Sequence, residues 1–181
     1  MKTFRPIQDG EENRFAHLTG PIALYVGRVA IEKNIEAFLD MDWSGTKVVI
    51  GGGPALEELK ERYEDIEFLG IKTGEDLGSY FRSADIFAFP SKTDTFGIVL
   101  IEALASGLPV AGYNVTGPKD IITQDILGAT HEDDLSKACR RALKAPGTAQ
   151  DRADYVQRTF SWDTMAQQFL EATFQSSQAN L

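Results

Sequence analysis

Pro90-Ser91-Lys92-Thr93-Asp94-Thr95-Phe96-Gly97-Ile98-Val99-Leu100-Ile101-Glu102-Ala103-Leu104-Ala105-Ser106-Gly107-Leu108-Pro109-Val110 is the stretch whose reading decides the fold. It follows an apolar run, Asp85-Ile86-Phe87-Ala88-Phe89, that has the length and composition of a buried strand. A polar loop comes next, then a nearly all-apolar helical run that stops at Gly107 and resumes as a strand at Pro109-Val110-Ala111. One carboxylate, Glu102, interrupts the apolar helix. An unpaired charge is costly to bury, so Glu102 is expected to meet a backbone group, a basic residue or a ligand.

The same alternation extends in both directions. Strands are expected at Ile22–Val26, Lys47–Ile50, Ile66–Leu69, Asp85–Phe89 and Pro109–Ala111, with helices at Lys33–Leu39, Ala55–Tyr63, Glu75–Ser83 and Gly97–Ala105. Strands separated by helical stretches imply crossover connections and a parallel sheet. The fold class is therefore α/β, a single Rossmann-like doubly wound parallel sheet flanked by helices. Beyond residue 131 the pattern turns helical, at Asp133–Leu143, Ala149–Thr159 and Trp162–Phe174, with Ser161 as the N-cap of the last. Residues 1–20 read as a polar lead-in, 21–160 as the domain, and 161–181 as a C-terminal helix and tail.

Composition narrows the partners. With 181 residues the chain builds one good core, and its 43% hydrophobic and 25% charged content is ordinary for a soluble globular protein. Eighteen basic against 27 acidic residues give a net charge of −9, which disfavours a nucleic-acid groove or an anionic membrane surface but leaves room for a locally basic pocket. A lone cysteine, Cys139, excludes an internal disulfide and suits a reducing compartment, and no apolar run reaches 18 residues. A cytoplasmic location is the expectation. His17 and His131 read as structural, nothing has metal-site spacing, and no cofactor is implied.

In sheets of this class ligands bind beyond the strand carboxyl ends, where the strand order reverses. With the common order 3-2-1-4-5, that crevice lies between the first and fourth strands. Gly27, Arg28 and Lys33 follow the first strand. Glycine permits a tight turn, and two cations beside a helix start suit a diphosphate; solvated surface charge is the competing reading. Thr95, Phe96, Gly97 and Ile98 open the other helix, where free N–H groups hold a phosphate oxygen. Asp94 and Glu102 are eight apart and each carboxylate accepts hydroxyl hydrogen bonds, so the pair reaches two parts of one ligand. An N-cap role for Asp94 and a satisfied core role for Glu102 compete with that reading. Gly51-Gly52-Gly53-Pro54 does not complete a dinucleotide fingerprint, because Leu56 stands at the final glycine position. Gly52 offers either backbone approach to a ligand or a tight strand-to-helix turn. Ile71 and Lys72 lie one strand away from the switch point and would border a nucleobase, and Gly117-Pro118 with Asp120 forms a loop that would close over a sugar.

Taken in order, Gly27-Arg28 with Glu32-Lys33, Gly51–Pro54, Phe68-Leu69-Gly70 and Ser91 through Gly107 resemble the C-terminal, donor-binding half of a family 4 (group 1) retaining glycosyltransferase of the GT-B architecture. The resemblance runs from about Phe4 to Phe174 and includes Phe160-Ser161-Trp162. It implies transfer of a hexose from a UDP-sugar or GDP-sugar to a lipid or saccharide acceptor with retention, without a metal. Arg28, Lys33 and Asp94 would be catalytic. Arg28 and Lys33 would neutralise the diphosphate, Phe96 and Gly97 would offer it N–H groups, Asp94 would contact the sugar and Glu102 the ribose.

Two residues depart from the family pattern: Asp94 stands where glutamate is usual, and Asn34 follows the lysine where glycine is usual. The resemblance also implies a partner, an N-terminal acceptor-binding domain, which would carry any peripheral membrane contact. Without it the chain is expected to bind donor and to be inactive or nearly so. A non-catalytic nucleotide-sugar-binding module and a nucleotide-sugar 2-epimerase-like domain are the rival readings; a nicotinamide-dependent dehydrogenase is disfavoured by the glycine spacing.

Overall fold

A computed structural model describes residues 3–94 and 97–160. Six strands form one sheet: β1 (Ala23–Val26), β2 (Lys47–Ile50), β3 (Glu67–Phe68), β4 (Ile86–Phe89), β5 (Val110–Tyr113) and β6 (Gly128–His131). Every pairing is parallel and the order is β3-β2-β1-β4-β5-β6. The order reverses between β1 and β4, as expected from the common order for sheets of this class. Seven helices accompany the sheet in the described residues: α1 (Glu36–Leu39), α2 (Leu56–Arg62), α3 (Gly74–Phe81), α4 (Ile98–Ala105), α5 (Pro118–Ile121), α6 (Leu135–Ala142) and α7 (Ala149–Phe160).

Successive strand residues point to opposite faces, and the core divides accordingly. On one face Ala23, Tyr25, Val49, Ile86 and Ala88 pack with Phe38 and Leu39 of α1, Leu59 of α2 and Ala138 and Ala142 of α6. On the other face Leu24, Val48, Ile50, Phe87 and Phe89 meet Phe81 of α3, Leu100 and Leu104 of α4 and Val156 of α7. All four residues of β4 are buried, which explains its unbroken apolar run. Fully burying a side chain such as Phe87 is worth roughly 1.5–3 kcal/mol, and the sheet does so on both faces.

Three local expectations need correction. The helix expected over Lys33–Leu39 is instead a 3-10 turn, Ile31–Lys33, a left-handed residue, Asn34 (φ 52°), and then the short α1. The fifth strand runs to Tyr113, two residues beyond the expected end at Ala111. β6 was not foreseen, because Gly-Ala-Thr-His carries little strand propensity. Its partner creates it: Val110 to Tyr113 align with Gly128 to His131, and Val110 O lies 1.8 Å from where a Cβ on Gly128 would stand. The lead-in also packs on the domain. Phe15 is buried, and Phe4 meets Phe81 edge-on with ring centroids 5.6 Å apart. The expected terminal helix Trp162–Phe174 and its N-cap Ser161 lie outside the described residues.

Candidate functional site

The glycine triplet after β2 shapes the loop after β1. A Cβ on Gly51 would sit 1.8 Å from Gly27 O, and one on Gly53 would sit 2.2 Å from Val29 O. The two loops run that close because Gly27 N donates to Ile50 O and Val29 N to Gly52 O. Backbone packing is therefore the use the structure shows for these glycines. Tyr25, buried at the end of β1, donates its hydroxyl proton to Arg28 O at 2.8 Å and pins the same loop from beneath.

Across the reversal point, the β4–α4 loop brings the second half of the site. Lys33 Nζ lies 2.5 Å from Asp94 Oδ1, and both side chains are less than one-third exposed. Burial pushes the Asp94 carboxyl up, but hydrogen bonds from Lys33 and from buried Ser91, with the Lys33 charge, outweigh it and hold it below the usual carboxylate range. Arg28 is looser: 62% exposed, it lies 3.4 Å from Glu32 one turn along. Gly97 ends the loop with φ 64°, and its Cβ position is 2.9 Å from Leu100 Cδ1, so glycine alone suits the turn into α4.

Glu102 lies in α4 with its neighbours Ile101 and Ala103 buried. Among the described residues no hydrogen bond or ion pair to its carboxylate is recorded. Burial alone pushes the Glu102 carboxyl up. The partner that the sequence called for is therefore not supplied by the described protein groups, and the carboxylate faces a cavity.

That cavity holds about 550 Å³, within the range of small-molecule sites. Gly27, Arg28, Lys33, Asp94, Gly97, Ile98 and Glu102 all line it. So do Tyr25, Phe89 and Ser91, which sequence reasoning missed; Tyr25 and Phe89 were counted only as strand residues. Thr95 and Phe96 lie outside the described residues. Gly52, Ile71 and Lys72 are not in the cavity wall. Ile71 is 74% exposed and covers Gly52, while Lys72 lies 3.8 Å from Asp76 Oδ2 and over the Tyr80 ring. Asp120 caps its own turn, accepting from Gly117 N at 3.3 Å. His131 Nδ1 accepts from Asp134 N at 3.2 Å, a turn contact. Among the described residues no three His, Cys, Asp or Glu side chains converge, and no helix is long and apolar enough to cross a membrane.

Comparison with known proteins reaches the same region. The family described as Glycosyl transferases group 1 matches residues 9–161. The chain belongs to that family. A sulfoquinovosyl transferase of Arabidopsis thaliana is 33% identical over 138 residues, 71% of this chain and 27% of the plant protein. An alpha-monoglucosyldiacylglycerol synthase of Streptococcus pneumoniae is 33% identical over 154 residues, 77% of this chain and 33% of its own. This group 1 chain thus spans about one-third or less of the length of those curated relatives. The sucrose-phosphate synthase of Thermosynechococcus elongatus superposes with a TM-score of 0.77 at 27% identity, over 98% of this chain and 51% of that one. The domain is one Rossmann-like half of the GT-B architecture.

Proposed function

We propose that this group 1 domain is the donor-binding half of a hexosyltransferase. It holds a UDP-sugar or GDP-sugar while an acceptor-binding half presents a lipid or saccharide hydroxyl. The observation that carries the reading is a single cavity lined by two cations, the start of α4 and two carboxylates, one ion-paired and one with no protein partner among the described residues. In a chain of net charge −9, a pocket with Arg28 and Lys33 on one wall is a local reversal suited to an anion.

Each residue then has a chemical task. Arg28 and Lys33 balance the diphosphate with the N–H groups at Gly97 and Ile98, and with those of Thr95 and Phe96. Asp94 accepts from hydroxyls of the transferred hexose. Glu102 accepts from the ribose diol, which returns to its carboxylate the hydrogen bonds that burial took away. During transfer the acceptor oxygen bonds to the anomeric carbon as the bond from that carbon to the phosphate oxygen breaks. The departing diphosphate takes the acceptor proton on the same face, which gives retention. Charge on the leaving oxygen is the main quantity to stabilise, and Arg28, Lys33 and the α4 start supply that without a metal.

The reading makes residues 21–160 the binding unit, working in the cytoplasm, with the acceptor half as its partner and any membrane contact made through that half. Alone, the chain binds donor and transfers little or nothing. Calorimetric titration with UDP, GDP, ADP and NAD, repeated with Arg28→Ala and Glu102→Ala, tests this. Binding of UDP or GDP that both substitutions weaken supports it. Binding of NAD alone, or nucleotide binding untouched by either substitution, refutes it.

A further inference from the structure

Asn34 is the only non-glycine with positive φ among the described residues. It stands directly after Lys33, where the related pattern has glycine. The backbone accounts for both choices: φ 52° and ψ 33° are left-handed, the conformation that glycine takes freely and that asparagine tolerates better than most residues. Asparagine adds something that glycine cannot. Its side-chain Nδ2 donates to Pro90 O at 2.9 Å, across the crevice between β1 and β4. Pro90 is the first residue after β4 and opens the loop that carries Asp94.

We propose that Asn34 is a positioning residue that ties the loop carrying Lys33 to the loop carrying Asp94, so that the two charges face the cavity at one fixed separation. Lys33 is already set locally. Lys33 N donates to Ala30 O and Asn34 N to Ile31 O, closing the 3-10 turn around it. What the turn does not set is its distance from a carboxylate 61 residues away. The Asn34 side chain supplies that constraint from the next residue, on the same side of the crevice. With glycine at this position the turn would survive and the tie would not. The chain has thus exchanged a flexible hinge for a latch beside its central ion pair. This inference rests on the donor-site reading for its consequence in binding, but the latch itself is open to measurement without any ligand.

Asn34→Gly is the informative variant, because glycine keeps the left-handed turn and removes only the side-chain tie. The first measurement is the titration of the Asp94 carboxyl carbon by NMR in the full chain, with no nucleotide present. The expected result is a wild-type carboxyl below the ordinary range that moves upward in Asn34→Gly while the melting temperature holds. An identical Asp94 titration in the two proteins overturns the proposal. The second is calorimetry with UDP and GDP in four proteins: wild type, Asn34→Gly, Lys33→Met and the double variant. Asn34→Gly should weaken binding by roughly 3- to 10-fold, the worth of about one hydrogen bond, and should add nothing once Lys33 is gone. No loss in Asn34→Gly, or an equal loss with and without Lys33, overturns it. If the wild type binds neither nucleotide, the donor-site reading fails, and the Asp94 titration still decides the role of Asn34.

Discussion

Replacing Lys33 by Met gives the sharpest test of how the cavity holds an anion, because two effects act in the same direction. The first is loss of a charge-assisted hydrogen bond to the ligand, worth about 1.5–3 kcal/mol. The second follows from the ion pair at 2.5 Å: without Lys33, Asp94 faces the cavity as an uncompensated negative charge. Unit charges about 4 Å apart interact by roughly 4 kcal/mol at an effective dielectric of about 20. Asp94 is 28% exposed, so solvent screening holds the repulsion well below this ceiling. Together the two effects predict about 3–4 kcal/mol, or on the order of 100- to 1000-fold weaker binding of the nucleoside diphosphate.

Arg28 gives the contrast. It is 62% exposed and already shared with Glu32, so Arg28→Met should weaken binding by only about 5-fold. Adding Asp94→Asn to Lys33→Met removes the repulsion and should recover about 10-fold. The assay is calorimetry near neutral pH in about 0.1 M salt, where exposed charges are screened beyond about 10 Å. Equal losses for Lys33→Met and Arg28→Met would refute the ordering. A further loss on adding Asp94→Asn would refute the claim that Asp94 serves first as the counter-charge of Lys33.

Three more outcomes follow from the same structure. Because burial raises the Glu102 carboxyl, the folded state holds that proton more tightly than the unfolded chain does; stability is lost as pH rises from the ordinary glutamate range through the folded value. Glu102→Gln should therefore melt above the wild type near neutral pH, with the gap closing in acid; equal melting temperatures at every pH would refute the assignment, and the variant should also bind nucleotide more weakly. Arg152, only 8% exposed, donates to Gly107 O at 2.8 Å and Ile126 O at 3.0 Å, so Arg152→Met should cost about 2–4 kcal/mol in denaturant unfolding. Gly51→Ala, whose new Cβ would meet Gly27 O at 1.8 Å, should disrupt folding as seen by circular dichroism; Gly70→Ala, strained in φ but in open space, should cost about 1–2 kcal/mol.

Several features of the fold were legible because they are local. Ile86-Phe87-Ala88-Phe89 is apolar at every position because a central parallel strand is covered on both faces, and no solvated element has that pattern. Gly97 and Gly107, both at positive φ, bracket α4 and announced its limits. The cavity residues Gly27, Arg28, Lys33, Asp94, Gly97, Ile98 and Glu102 were singled out from two loops and the helix α4, which the strand order brings together. Ser91 left no comparable signal, since a buried serine that supports a carboxylate reads as an ordinary loop residue.

The alternation of apolar runs with helical stretches and the residue types in the loops between them were determined by the sequence alone, since hydrophobic period and turn chemistry act over a few residues, whereas the strand order was taken from the commonest arrangement of such sheets. The tertiary structure alone decided the rest. β6 exists because β5 offers it a row of hydrogen-bonding partners, not because Gly-Ala-Thr-His favours a strand. The left-handed Asn34 that breaks the first helix has its side chain tied to Pro90 O, 56 residues away. Lys33 reaches Asp94, and Glu102 is left half-buried against a cavity, through contacts between segments far apart in the chain. Such contacts depend on where the whole backbone closes, and no local propensity encodes that distance.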